Sequence, residues 1–484
     1  MKLDRPLRPF PGRLRRLAAG LTVGASVFCF GALATGAARE AAAADAPTWK
    51  AGAAAVVITP ENSMWMAGYA SRNHPAEGKE TELYGKALAL QDEHGARLVI
   101  VTLDLIGVPV TLRKNLEHRC ADAYKLPPEG LLLNASHTHS GPEFRVGRRM
   151  GDDGDIDRSK EGEAYGRRLE DKLFKIIGDA IAGLEPARLG YSYARAGFAM
   201  NRRLPTPRGY QNSASPDGPV DQTVPVLRVT GADGKLRTVL FGYACHNTSL
   251  SLYEWNADYA GYAQEYVQAD HPGVLAMFMM GCGGDQNPYP RRTLEMCQQH
   301  GRALANAVET ALGVAPRDVH GPLRAAYGEV DLDYAIVPTR EEFQKRLASK
   351  DRLEASHARR FLAKLDAGET LPKSYPCPVQ VIRFGDDLVL VALGGETLVD
   401  YALRLKRELA GPAAVWVAGY SNDVMGYIPS KRVREEGGYE AEGAMRYSST
   451  HPGPWAPSLE ERIIGKVHEL DRSLQSAAPS APKR

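Results

Sequence analysis

The 484-residue sequence predicts an α/β fold of mixed, largely buried β-sheets with flanking helices, forming a single large domain. Three observations predict it. Apolar runs bounded by turn residues recur along the chain, several too uniformly apolar to have a wet face, as strands buried on both sides are. Helix-length amphipathic patterns separate them, and alternation of strand with helix argues for an α/β architecture. No repeat and no inter-domain linker interrupts residues 45–475, although that length exceeds the ~250–300 residues at which one core usually stops growing.

The elements follow in order. Residues 1–16 carry Lys2, Arg5, Arg8, Arg13, Arg15 and Arg16 against one acid, Asp4, and an uncharged stretch runs from Leu17 to Ala38. With the small-residue site Ala42-Ala43-Ala44, this is the arrangement of a signal peptide over 1–44, placing the protein in a secreted or periplasmic compartment. An uncleaved N-terminal anchor is the alternative, since the uncharged stretch is long enough to span a bilayer. Strands are expected at AAAVVITP (53–60), ALALQD (87–92), RLVIVTLDLIGV (97–108) and GLLLNAS (130–136). Further strands are expected at 237–246, 273–284, 379–385, 387–396 and 413–423. Helices are expected over 160–184, 291–312, the charged stretch 339–366, 396–410 and 457–474, and residues 476–484 read as a disordered tail.

Composition narrows the partners. A formal net charge of +2, with no long Lys/Arg-rich run after the N-terminus, argues against nucleic acid. No protein partner is evident. Beyond residue 44 there are five cysteines (Cys120, Cys245, Cys282, Cys297 and Cys377), too few for a disulfide scaffold, and their odd number leaves at least one unpaired. None is spaced as CxxC, so a cysteine zinc site is not expected.

Polar residues collect just past the apolar runs. His137 and His139 follow LLLNAS; His246 ends TVLFGYACH; Asp285 follows MFMMGCGG; Glu396 follows LVLVALGG; Asn422, Asp423 and Tyr427 follow VWVAGYS. Ligands bind outside the carboxyl ends of strands in open α/β sheets, so these residues are expected to converge on one crevice. At period two, His137 and His139 share one face of an extended segment and suit a metal, or a ligand beside an acid/base. The bland alternative is a pair of imidazoles capping the next turn. His246 and Glu396 complete an N/O set of the kind catalytic zinc takes from distant parts of a chain, although Glu396 could equally be a helix N-terminal acid. GCGGDQNP reads either as a tight turn or as a backbone cradle for an oxyanion. His118, His300, His357 and His468 fall in charged helical stretches and are expected at the surface.

Several of these segments carry a family resemblance. VVITP…MAGYA (56–70), NASHTHSGP (134–142), MNRR (200–203), YACHNTS (243–249), DYAGYAQE (258–265), GGDQNP (283–288), GGET (394–397) and GYSNDVMGYIP (419–429) occur in the order found in the neutral/alkaline non-lysosomal ceramidases, which the chain resembles over most of its length. These are zinc amidases that split ceramide into sphingosine and a fatty acid. The resemblance implies Zn2+ held by His137, His246, Glu396 and Tyr427, with hydrolysis of an N-acyl amide by metal-activated water. It also makes His139 an acid/base or substrate-binding group, Arg202 a group near the scissile amide, and Tyr439 a second tyrosine near the carbonyl oxygen. The implied partner is a small lipid or acyl-amide substrate, with room for peripheral membrane contact.

Two departures qualify it. The family's Gly-Asp-Val-Ser-Pro-Asn loop reads Gly284-Asp285-Gln286-Asn287-Pro288-Tyr289 here, so Asn287 stands where a serine matters for activity. Asn can donate a hydrogen bond but cannot be a hydroxyl nucleophile. The chain also stops after the 457–474 helix, where full-length members usually continue into an immunoglobulin-like domain, so a smaller lipid-access surface is expected. The alternatives to a ceramidase are a zinc hydrolase of the same fold acting on another acyl amide or ester, or a non-catalytic metal-binding homologue.

Overall fold

Two β-sheets pack face to face, and helices cover both outer faces. The computed structural model describes residues 47–145 and 156–476. The larger sheet uses β1 (Trp49–Val57), β2 (Tyr84–Asp92), β3 (Arg97–Leu103), β4 (Leu131–Ala135), β5 (Glu185–Arg195), β8 (Thr223–Gly231), β9 (Leu236–Tyr243) and β10 (Leu275–Met280), in the spatial order β10-β9-β8-β5-β1-β2-β3-β4. Between β5 and β8 lies a hairpin, β6 (Ala199–Thr206) and β7 (Gly209–Ser215), joined at one edge by β11 (Gln286–Pro288). The smaller sheet runs β12 (Leu323–Asp333), β13 (Ser374–Phe384), β14 (Leu388–Leu393) and β15 (Ala414–Ala418). Pairing is antiparallel except at β3/β4, β9/β10 and β14/β15.

The uniformly apolar strands are explained by burial of both faces. In β2, Leu88 and Leu90 face the smaller sheet while Ala87 and Ala89 face helices α1 (Val110–Tyr124) and α2 (Ile156–Ala182). In β3, Leu98 and Ile100 point one way and Val99, Val101 and Leu103 the other. Across the sheet–sheet interface these meet Ile382, Phe384, Leu390 and Trp416. Helices α3 (Asp258–Asp270) and α4 (Leu294–Leu312) cover β8–β10. The smaller sheet's outer face is closed by α7 (Val399–Glu408) and α9 (Leu459–Ser476), through Tyr401, Leu405, Ile463 and Val467. Among the described residues the core holds the fold without disulfides, and their five cysteines are buried free thiols. Among the described residues no helix is long and apolar enough to cross a membrane.

The structure differs from the sequence reading in particular places. The 339–366 stretch is two helices, α5 (Arg340–Arg346) and α6 (Arg352–Asp366), because Asp351 accepts from the Leu353 and Glu354 amides and starts a new helix. Strands β5–β8 and β12 and helices α1 and α3 carry no long apolar run; β7 is largely exposed and β12 is mostly half-buried. The signal segment and the tail from 477 lie outside the described residues.

The strand ends are drawn together at one point. Asn134, in β4, donates to the carbonyls of Met280 and Gly419 and accepts from the Met280 amide. Bridges Asn134–Ser421 and Gly281–Ala418 complete the stitch, so the carboxyl ends of β4 and β10 meet that of β15 from the other sheet.

Candidate metal centre and active site

Four loops leave that junction, each carrying one polar side chain inward. His137 follows β4, and its amide is bonded to the Leu105 carbonyl. His246 follows β9, with its amide held by Gln286 O. Glu396 follows β14 and pairs in parallel with Tyr427 beyond β15. The Asn247 side chain bridges the first two loops, donating to Ser136 O and accepting from the Ala260 amide.

His137 and His139 do not lie on one face of an extended strand. Strand β4 ends at Ala135, and His137 takes a left-handed conformation with φ 62°. That turn, costly for a residue other than glycine, swings the two rings together at a centroid separation of 4.9 Å. Gly68, itself at φ +98°, makes room: a Cβ there would come 2.5 Å from the His139 ring.

Hydrogen bonds fix which nitrogens point inward. His137 Nδ1 lies 2.6 Å from Ile106 O and His246 Nδ1 lies 2.7 Å from Gly283 O. A nitrogen facing a carbonyl must be the donor, so in each ring Nε2 is the atom turned toward the centre. His137 Nε2 is 3.2 Å from Glu396 Oε2 and 3.2 Å from His139 Nε2. His246 Nε2 is 3.6 Å from the same carboxylate oxygen and 3.3 Å from the Tyr427 hydroxyl. The buried Glu396 Oε2 has no donor to accept from. Burial holds His139 well below its ordinary range, with His137 and His246 adding to the effect, and pushes His246 down to about 3. Burial alone would raise Glu396, but His137 and His246 outweigh it and keep the carboxylate charged. Imidazole nitrogens and a carboxylate oxygen brought this close together form a donor set that fits a cation. His137, His139 and His246 offer ligand atoms within 4.8 Å of one another. Glu396 and Tyr427 adjoin that group, which differs from the set the resemblance implied in including His139.

The remaining predicted residues surround this centre. Buried Arg202, on β6, donates to Tyr427 Oη (2.8 Å) and Asn287 Oδ1 (3.3 Å), with its Nε on Glu440 (2.8 Å). Each of its three nitrogens thus makes a bond within the protein, and the residue sits behind Tyr427. Asn287, on β11, also accepts from Thr248 Oγ1 and donates to Asn212 Oδ1, both at 3.3 Å. Tyr439 is 39% exposed, its ring edge-on to Tyr427 at 5.4 Å. A cavity of about 740 Å³ opens over the centre, lined among others by Trp65, Tyr69, His139, Glu396, Tyr427 and Tyr439. Its far wall comes from α6 and residues 441–448.

Comparison with known proteins places this arrangement. A sequence profile of the N-terminal part of the neutral/alkaline non-lysosomal ceramidases matches residues 49–318. The chain belongs to this ceramidase family. Membership makes it a ceramidase-type hydrolase. Two solved structures share the fold: a neutral ceramidase from Pseudomonas aeruginosa (22% identity, TM-score 0.67, covering 91% of this chain and 76% of that one) and a ceramidase complexed with C2 (21%, 0.66, 91% and 78%). The profile match contains His137, His139, Arg202, His246 and Asn287 and ends before Glu396, Tyr427 and Tyr439, which the fold brings to the same place.

Other sequence expectations resolve differently. Asp285 stays outside the centre: it accepts from the Val399 amide at the start of α7 and from Asn201 Nδ2, and burial pushes it up to about 6. Glu396 precedes α7 rather than sitting in its first turn. Gly283 and Gly284 serve close packing, since a Cβ on either would lie 2.7 Å from backbone atoms of Cys245 or Glu396. His300 and His357 are buried rather than superficial, each bonded to a carbonyl (Pro290 O and His451 O). Sequence reasoning missed Glu440, beside Tyr439, because nothing local distinguishes it from the surface acids around it.

Proposed function

We propose that the protein is an exported zinc amidohydrolase that cleaves the N-acyl amide of ceramide or a related lipid. The observation that carries this reading is the convergence of the His137 and His246 imidazoles, the Glu396 carboxylate and the Tyr427 hydroxyl at the end of a large cavity, in a chain of the ceramidase family. Imidazole, carboxylate and phenol form a set that suits zinc. When bound, a zinc ion supplies Lewis acidity and brings a water molecule toward ionisation near neutral pH. The chain's own residues supply the rest. His139, neutral and at the cavity wall, is placed to take a proton from water and deliver it to the departing amine nitrogen. Tyr439 can donate its hydroxyl to the carbonyl oxygen as charge develops there. Trp65, Tyr69, Met425 and Met445 give apolar surface for hydrocarbon chains.

Asn287 favours a second reading, in which the same centre acts on another acyl amide or an ester. Its oxygen and nitrogen are engaged by Arg202, Thr248 and Asn212, so it supports neighbours and supplies no nucleophile. Metal analysis of the purified protein, followed by hydrolysis assays on ceramide, short acyl amides and esters with and without chelator, tests both. One equivalent of zinc and chelator-sensitive ceramide turnover are expected. Turnover confined to short amides or esters selects the second reading. Zinc with no turnover on any acyl substrate indicates a binding protein, and absence of zinc sinks the proposal. Export rests on residues 1–44 and is tested by N-terminal sequencing of protein recovered outside the cytoplasm.

A further inference from the structure

A second buried charge cluster adjoins the metal centre. Arg202 and Arg203, consecutive on β6, share the carboxylate of Glu440: Arg202 Nε meets Oε1 at 2.8 Å and Arg203 Nη1 meets Oε2 at 2.6 Å. Glu440 is 3% exposed. A second carboxylate, Glu436 at the end of α8 (Lys431–Glu436), reaches only Arg203 of the pair, at 3.1 Å. Two cations thus face two carboxylates, and the roles divide. Glu436 serves Arg203, which makes no contact with the centre, whereas Glu440 holds the Nε edge of Arg202. With that edge fixed, the guanidinium plane is set, and Nη2 falls 2.8 Å from the Tyr427 oxygen while Nη1 falls 3.3 Å from Asn287 Oδ1.

We propose that Glu440 is a positioning residue for the metal centre, acting through Arg202 to aim and polarise the Tyr427 oxygen. This rests on the reading of Tyr427 as a ligand. A planar guanidinium held at Nε by a buried carboxylate has less freedom to turn at its Nη end, so the carboxylate determines whether a charge-assisted donor sits on the phenol. A donor there stabilises negative charge on the oxygen and orients its free lone pair toward His246 Nε2 and Glu396. Glu440 also follows Tyr439 directly, and both line the cavity. The segment that meets the substrate is therefore the one that braces the ligand.

The test compares Glu440→Gln with Glu436→Gln in the full chain. Zinc affinity of the metal-free proteins is measured by chelator competition, kcat and KM on the best acyl substrate by initial rates, and folding by thermal melts. Glu440→Gln is expected to bind zinc roughly 10–100-fold more weakly, the usual scale for a partner one shell outside the ligands, and to lower kcat with KM within about threefold. Glu436→Gln is expected to lose stability while zinc affinity and kcat stay within about twofold. Arg202→Lys should match Glu440→Gln, and the double variant should be no worse than either alone, as for residues acting as a unit. Should Glu440→Gln fail to fold, Glu440→Asp, which keeps the charge but withdraws it, is expected to show the same loss of zinc affinity. Wild-type affinity and kcat in Glu440→Gln, or equal losses in Glu436→Gln, overturn the inference alone. A wild-type protein that binds no zinc overturns it together with the proposed function.

Discussion

Two buried polar networks lie on either side of the segment 419–427, and they differ in one respect. On one side Arg113, Asn422 and Gln380 tie the two sheets together. Arg113 Nε and the Leu133 amide both donate to Asn422 Oδ1 at 3.1 Å, Asn422 Nδ2 donates to Gln380 Oε1 at 2.8 Å, and Gln380 Nε2 donates to Glu129 O at 2.8 Å. Arg113 also reaches Glu117 and Pro128 O. Donors match acceptors, and the network closes on itself. On the other side the Nε2 atoms of His137 and His246 face the Glu396 carboxylate, whose Oε2 is left without a hydrogen-bond partner, and the Tyr427 hydroxyl, 3.3 Å from His246 Nε2, is the group's one hydroxyl donor. Both networks are buried, and both carry a left-handed residue that is not glycine, Asn422 (φ 64°) and His137 (φ 62°). Strain and burial therefore do not separate structure from function here; the unpartnered Glu396 oxygen among converging ligand atoms does.

The comparison can be broken in four ways. The largest effect is expected from His246→Ala, which should abolish stoichiometric zinc binding and lower turnover by at least about 10³-fold, or roughly 4 kcal/mol of transition-state stabilisation. Metal analysis and initial rates check it, and full zinc content in the folded variant would remove His246 from the centre. Next, Arg113→Met should cost about 3 kcal/mol of stability, the scale for breaking a buried charged network, while leaving zinc content per folded molecule unchanged. Urea unfolding and metal analysis together separate the two networks.

A smaller, graded effect follows from pH. In metal-free protein, burial holds His246 at about 3 and His357 at about 4. A group depressed on folding binds fewer protons folded than unfolded, so stability falls as pH drops from about 6.5 toward those values, by up to about 1.4 kcal/mol per pH unit for each group. Glu396, held low in the folded state, adds a loss only below about pH 4.5. Urea midpoints of chelator-treated protein should fall steadily from pH 7 to pH 5, and a flat profile would show that these rings are not buried neutral. The smallest effect is expected from Asn287→Ser. With no side-chain nucleophile at 287, turnover should change by less than about tenfold; a gain of a hundredfold or more would make a hydroxyl there part of the reaction.

Much of this was legible in the chain. The runs in β2, β3 and β4 announced strands buried on both faces, and the two-sided packing of Leu88 against Ala87 and of Ile100 against Val101 is the reason. Polar residues past the strand ends announced a crevice, because a polar side chain placed just beyond a buried strand must find partners. Strands β5 to β8 and β12 were harder to see, since polar and proline residues interrupt their apolar runs. The surface reading of His300 and His357 failed for a related reason: charged neighbours on a helix describe its outer face and say nothing of the residue turned inward.

By itself the sequence determined the α/β architecture, the family and the identity of the residues at the strand ends, because those depend on local periodicity and on short motifs. Tertiary structure decided how these residues work together. Only the meeting of β4, β10 and β15 around Asn134 brings Glu396 and Tyr427 to the two histidines, and only the left-handed turn at His137 aims His137 and His139 at one centre. The division between Arg202 with Glu440 and Arg203 with Glu436 likewise exists only in three dimensions. Its partners are more than 230 residues apart in the chain, and long-range pairing of that kind leaves no local pattern to read.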